Sequence, residues 1–232
     1  MGNNGKSPNA YRERQDDDPE ATIVLTTRDC RDLLRRAIEA ARRQTVPVEI
    51  MVMDDNSANG TAEMMEREFP DISYHRTNRS KGLCFHRNSG IALAQTEIVF
   101  PLGDDSVLES PETVAQTLRE FEDPLVGAVT IPSINLSRTD TVPGAAPDGH
   151  AQQAPFSAAH AVRRAAFFKA GGYRESSFHI GEGTDLCIRM RRLGLLVKRG
   201  AADPIRRYRP QVPASFVAEV SGCAGSGGAV VS

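Results

Sequence analysis

The sequence predicts an α/β domain: one mostly parallel, Rossmann-like sheet flanked by helices, in a single unit. Three observations carry this. Short apolar or β-branched runs alternate with segments of helical spacing, the pattern of βαβ units. The runs at 21–25, 48–53 and 97–102 each lead into polar residues (Thr26-Thr27-Arg28, Asp54-Asp55 and Asp104-Asp105). Open α/β folds bind ligands at that carboxyl edge of the sheet. The 232 residues, 40% of them hydrophobic, are enough for one core.

The elements follow in order. Residues 21–25 form a first strand. Residues 32–44 form a helix, with Leu33, Leu34, Ala37, Ile38 and Ala41 on one face. A second strand at 48–53 ends in Asp54-Asp55. Asn59-Gly60 marks a turn before a helix at 61–69. A weak strand at 72–75, a helix at 83–94 and a strong strand at 97–102 come next. Ser110-Pro111 opens a helix to 121, as a cap and first-turn pair. A strand covers 126–131. Residues 136–155 have no apolar period and read as a functional lid or a disordered segment. Regular structure resumes at Phe156, with a helix at 163–170 stopped by Gly171-Gly172 and another at 185–193 stopped by Gly194. No internal repeat appears.

Composition bounds the function. The formal net charge of -2 gives no basic footprint for nucleic acid. No apolar run reaches the roughly 20 residues of a membrane span. Residues 1–20 are polar, lack the apolar stretch of a signal peptide, and read as a disordered lead; residues 209–232 read as a flexible tail. Cys30, Cys84, Cys187 and Cys223 form no C-x-x-C pair, so reduced thiols in the cytoplasm are expected rather than a zinc site. The five histidines have no metal-ligand spacing and are assigned to structure or surface, with His179 nearest an acidic loop.

Five segments carry candidate chemistry. Thr26, Thr27 and Arg28 at a strand-to-helix turn suit an anionic nucleotide, or are an ordinary helix entry capped by Asp29 or Asp32. Asp54 and Asp55 are acceptors for a base N–H or a ribose hydroxyl, or a polar turn. Lys81 and Arg87, with Arg79, suit a diphosphate or form a solvated basic loop. Asp104 and Asp105 offer the hard oxygen ligands that Mg²⁺ prefers beside substrate phosphates. Glu182 and Asp185 open a helix, where acids favour the dipole and where a carboxylate in a cleft can act as general base. No G-x-G-x-x-G follows either early strand, which argues against a dinucleotide dehydrogenase.

The order of these segments resembles the family 2 glycosyltransferases of the GT-A fold. The resemblance rests on ATIVLTTRDCRDLLRRAIEAARRQTVP (21–47), VEIMVMDDNSANGT (48–61), NRSKGLCFHRNSGIALAQTEIVFPLGDDS (78–106) and FFKAGGYRESSFHIGEGTDLCIRMRRLGL (167–195). It implies a GT-A domain over 21–208 and inverting transfer of a single sugar from a nucleotide-diphosphate sugar to an acceptor hydroxyl on a glycan, lipid or other cell-envelope precursor. It implies Mg²⁺ or Mn²⁺ on Asp105, with Asp104 at the ribose or ordering the motif, Asp55 at the base, and Thr26 and Arg28 at the nucleotide. Glu182 is the expected base and Asp185 its alternative, because the family's Glu-Asp is here Glu182-Gly183. Gly103 stands where the family's metal motif has its first aspartate. The segment Asp203-Pro204-Ile205-Arg206-Arg207 lacks the family's histidine, with Arg206 or Arg207 as a cationic replacement. No Gln-x-x-Arg-Trp motif is present, and the chain has no tryptophan, which favours single transfer over polymerisation. A cytoplasmic location is expected, free or peripheral to the inner face of the membrane. The alternatives are an inactive nucleotide-sugar binder and, further off, a nucleotidyltransferase.

Overall fold

The computed structural model describes residues 18–135, 159–175 and 182–208. The elements run β1 (Ala21–Thr27), α1 (Arg31–Ala41), β2 (Val48–Asp54), α2 (Thr61–Glu68), β3 (Ser73–Arg76), α3 (Leu83–Leu93), β4 (Ile98–Gly103) and β5 (Ser106–Val107). They continue α4 (Thr113–Arg119), β6 (Val126–Thr130), β7 (Ser133–Asn135), β8 (His160–Arg163), α5 (Arg164–Lys169), α6 (Glu182–Arg192), β9 (Leu196–Arg199) and β10 (Ile205–Arg207).

Seven strands form the main sheet in the order β3-β2-β1-β4-β8-β6-β9. β1 pairs in parallel with β2 and β4 on either side, and only β8 runs against its neighbours. A second sheet, β5-β10-β7, sits at the end of β4. Alternation along the strands divides the core into two layers. Ile23 and Leu25 of β1 and Ile98, Phe100 and Leu102 of β4 face α1, α2 and α4. Val24, Met51, Met53 and Val99 face α3, α5 and α6. β1 is buried at all seven positions, as a central parallel strand covered on both faces should be. α3 lies close on that layer because Gly90 has no side chain: a Cβ there would stand 2.3 Å from Val24 Cγ1.

Several elements differ from the sequence expectation. α4 begins at Thr113 rather than 111; the Ser110 hydroxyl still accepts from Glu112 N at 3.3 Å while donating to Asp203 Oδ2 at 2.6 Å. Residues 160–163 are a strand, and the helix expected from 163 starts at Arg164. α6 begins at Glu182, three residues before the expected start. β5, β7, β9 and β10 were not expected; each is two to four residues long and exists through its pairing. The helix stops do hold, with Gly171, Gly172 and Gly194 at φ of 82°, 65° and 77°. The expected loop at 136–155, Phe156, His179, Cys223, the tail at 209–232 and most of the lead at 1–20 lie outside the described residues. Among the described residues no helix is long and apolar enough to cross a membrane.

Candidate active site

The end of β1 is the anchor of the site. Thr26 O accepts from Asp104 N at 3.0 Å, and Thr27 O accepts from Asp55 N at 2.9 Å. The two acidic segments therefore flank one strand end at the carboxyl edge of the sheet. Thr26 adds a side-chain bond, donating from Oγ1 to Leu102 O at 3.2 Å. The Thr27 hydroxyl is buried beside the Asp104 carboxyl, which it helps to hold down.

Asp55 organises one wall of the site. Its Oδ1 accepts from Lys81 N at 2.6 Å and lies 2.9 Å from His86 Nε2; its Oδ2 accepts from Ser80 Oγ at 2.8 Å. Gly82 N lies within 3.4 Å of both oxygens. Burial alone would push the Asp55 carboxyl up, but these donors outweigh it and hold it below the usual range. An ionised acceptor assigns the proton to Nε2 of His86. Arg28 joins the cluster from solvent, donating to Ser80 Oγ at 2.9 Å with its guanidinium 3.9 Å from Asp55. Lys81 reaches Asp55 by its backbone only; its ammonium sits over the Phe85 ring. Asp29 and Asn56 hold positive φ values of 54° and 62° at the rim, tolerable for such residues and common near functional sites. Neither Asp29 nor Asp32 caps α1: Asp29 Oδ1 accepts from Ala58 N at 2.7 Å, and Asp32 pairs with Arg31 and Arg35.

Asp54 lies beneath this turn, fully buried. Its Oδ1 accepts from Ser57 N at 2.8 Å, and its Oδ2 accepts from the Tyr74 hydroxyl. Both oxygens thus brace the turn and β3.

Asp104 and Asp105 end β4. Burial first, and then the charge of Asp105, push the Asp104 carboxyl up to about 6. Burial and Asp104 push the nearby Cys30 thiol up to about 11, which keeps it neutral. The pair therefore offers hard carboxylate oxygens in a poorly solvated turn. That donor set fits a hard divalent cation. Among the described residues no three His, Cys, Asp or Glu side chains converge on one point, so diphosphate and water oxygens would complete the shell. Asp105 already has one cationic partner, Arg207, whose Nη2 is 2.6 Å from Oδ2. Arg206 points elsewhere, to Glu109 at 2.6 Å.

α3 links this site to the acidic helix start. His86 reaches Asp55, and the next residue, Arg87, donates to Glu182 Oε1 at 3.3 Å from a nearly buried position against the Tyr173 ring. Asp185 turns away and is held by both Arg189 Nε and Nη2, at 2.9 and 2.6 Å. Thr184 and Asp185 lie inside the first turn of α6, so neither caps it. Ser80, His86 and Tyr173 were not singled out from the sequence. The only signal for His86 is its place four residues after Gly82, one turn into α3.

Residues 22–179 match the family pattern described as glycosyl transferase family 2. Solved structures share the fold. One is the mannosyltransferase PcManGT from Pyrobaculum calidifontis in complex with GDP-Man and Mn²⁺: 19% identity, TM-score 0.72, over 91% of this chain and 66% of that one. Another is TarS 1-349 from S. aureus: 13% identity, TM-score 0.64, over 81% and 60%. The same TarS fragment in complex with UDP gives 14%, 0.62, 85% and 62%. This chain spans 66% or less of the length of each. A comparison with curated proteins found no match. A family pattern over more than half of the sequence, on a GT-A sheet with its acidic segments at one carboxyl edge, shows that the chain belongs to glycosyl transferase family 2.

Proposed function

We propose that the chain transfers a single sugar, with inversion, from a nucleotide-diphosphate sugar to an acceptor hydroxyl of a glycan or lipid-linked precursor. The observation that carries this is the shared edge: Asp55 and Asp104 both hang from the last two carbonyls of β1. Asp55, braced by Asp54 from below, reads the base. Thr26, Thr27, Arg28 and Asp104 contact the nucleoside, and Lys81 faces the phosphates. Asp105 holds Mg²⁺ or Mn²⁺, which when bound neutralises charge on the departing diphosphate. Two structures of similar fold hold GDP-Man and UDP, so GDP- and UDP-sugars are the first donors to try.

Glu182 is the base, because Asp185 is clamped by Arg189 while Glu182 has one long contact to Arg87. The acceptor oxygen attacks the anomeric carbon from the face opposite the diphosphate. The new C–O bond forms, the bond to the diphosphate oxygen breaks with its electron pair leaving on the diphosphate, and the hydroxyl proton passes to Glu182. Arg87 fixes the direction from which Glu182 approaches. Asp185 contributes by aligning Arg189 and the start of α6 rather than by taking the proton.

Gly183 in place of an aspartate favours a second reading, a donor-binding protein without turnover. Thermal-shift screening of UDP- and GDP-sugars with Mn²⁺, followed by a donor hydrolysis and transfer assay, separates the readings. A ligand of the folded state raises apparent stability. Binding with turnover supports the transferase, binding without turnover the second reading, and no stabilisation by any nucleotide sugar refutes both. Work in the cytoplasm, at a membrane surface or free of it, follows from the acceptor and is tested by cell fractionation.

A further inference from the structure

Arg207 is built into the site. β10 pairs antiparallel with β5, Arg207 opposite Ser106, which sets it beside Asp105. Tyr208 N donates to Asp105 O at 2.8 Å, and Ile205 N donates to Pro132 O at 2.9 Å, so both ends of the strand are tied. The Arg207 and Asp105 side chains are only 12% and 16% exposed, so solvent screens the pair weakly. Nη2 of Arg207 is taken by Asp105, while Nε is buried with no hydrogen-bond partner among the described residues. A buried donor without an acceptor calls for an explanation. A planar guanidinium with a spare donor matches phosphate oxygens.

We propose that Arg207 is the resident counter-ion of the diphosphate subsite: it competes with a divalent cation for Asp105, and turns its fork to the donor's phosphates when the cation takes the carboxylate. This rests on Asp105 being the cation's ligand. Three consequences have definite signs. The cation binds the chain alone weakly, because it must break the pair. A nucleoside diphosphate draws Arg207 off Asp105, so each ligand strengthens the other, as linkage requires. Without Arg207 the cation alone binds tighter, the diphosphate alone binds weaker, and the coupling shrinks. A merely structural arginine would change neither affinity in opposite directions.

The test uses the full chain, with Mn²⁺ titrations read by electron paramagnetic resonance and UDP and GDP titrations read by calorimetry without metal. Arg207→Gln should tighten Mn²⁺ binding roughly tenfold, an ordinary size for coupling between two ligands, and weaken both nucleotides. Unchanged or weaker Mn²⁺ binding overturns the proposal. Asp105→Asn separates this from the underlying reading. If Asp105→Asn binds Mn²⁺ as the parent does, Asp105 is not the ligand and both ideas fall. If it loses Mn²⁺ while Arg207→Gln changes nothing, only the role of Arg207 falls. Should Arg207→Gln fail to fold by circular dichroism, Arg207→Lys carries the test. It keeps a cation on β10 but loses the fork. A smaller tightening of Mn²⁺ is then expected, and parental affinity overturns the proposal.

Discussion

Asp55→Asn is the most informative single substitution, because one carboxylate organises four donors. The parent oxygens receive Lys81 N at 2.6 Å, Ser80 Oγ at 2.8 Å, His86 Nε2 at 2.9 Å and Gly82 N at 3.3 Å. An amide keeps one acceptor oxygen and turns an NH₂ toward the other donors. Whichever way it is placed, at least one backbone or side-chain donor then faces a donor. Hydrogen bonds to a charged group are worth about 1.5–3 kcal/mol each. Losing the charge and one or two of these contacts should cost about 3 kcal/mol. For a domain of this size that lowers Tm by roughly 6–12 °C.

The assay is thermal unfolding followed by circular dichroism, with and without UDP or GDP. The variant should melt lower in the absence of nucleotide. It should also lose most of the stabilisation that nucleotide gives the parent, since the loop carrying Ser80 and Lys81 loses its tether. A Tm within about 2 °C of the parent would mean the network carries less than one ordinary hydrogen bond. That result would refute the reasoning, whatever the binding data showed.

The other predictions concern packing, pH and chemistry. Gly90→Ala should destabilise by about 2 kcal/mol, read as a lower urea midpoint: the added Cβ meets Val24 Cγ1 at 2.3 Å, and overpacking of this kind outweighs the better helix propensity of alanine. The lowered Asp55 carboxyl makes a stability contribution that is present above its unfolded value and lost as pH falls through the folded one. The parent should therefore lose its margin over Asp55→Asn in melts taken below about pH 4. Glu182→Gln should abolish sugar transfer while leaving UDP or GDP titrations at the parental affinity; unchanged turnover would remove Glu182 from the mechanism.

The sheet was legible because its central strands are apolar runs with clear ends. β1, β2 and β4 match their expected ranges within two residues. The placing of the polar segments after β1, β2 and β4 was legible for the same reason: once a strand's end is known, so is the place of the residues that follow. What stayed hidden depends on contacts distant in sequence. β8 is four residues, His160–Arg163, running without a break into α5, so a helical period absorbs it. β9 and β10 carry Lys198, Arg199, Arg206 and Arg207 and lack any apolar alternation; pairing with β6 and β7 defines them. The meeting of His86 with Asp55 spans 31 positions and turns on the rotation of α3 about its axis, which periodicity fixes only to a face. Asp54 and Asp55 look alike in sequence. Strand alternation sends the first inward to Tyr74 and leaves the second at the mouth of the cleft.

Gly103 and Arg207 act on the same carboxylate, Asp105. A Cβ at position 103 would lie 2.8 Å from Asp105 Oδ1. Glycine there is what lets the Asp105 carboxylate settle against Ser106 and Arg207, at 3.2 and 2.6 Å. An aspartate at 103 would bring a third negative group beside Asp104, whose carboxyl burial and Asp105 already push up to about 6. With the guanidinium in place, one of the two carboxylates that follow β4 is already paired. A second arginine–carboxylate pair stands at the start of α6, where Arg87 meets Glu182 and position 183 is glycine. In both places a glycine lies within two residues of the acid and an arginine faces it. The electrostatic problem each time is a carboxylate in a weakly solvated place, and an arginine is the side chain that satisfies it without giving up its own charge.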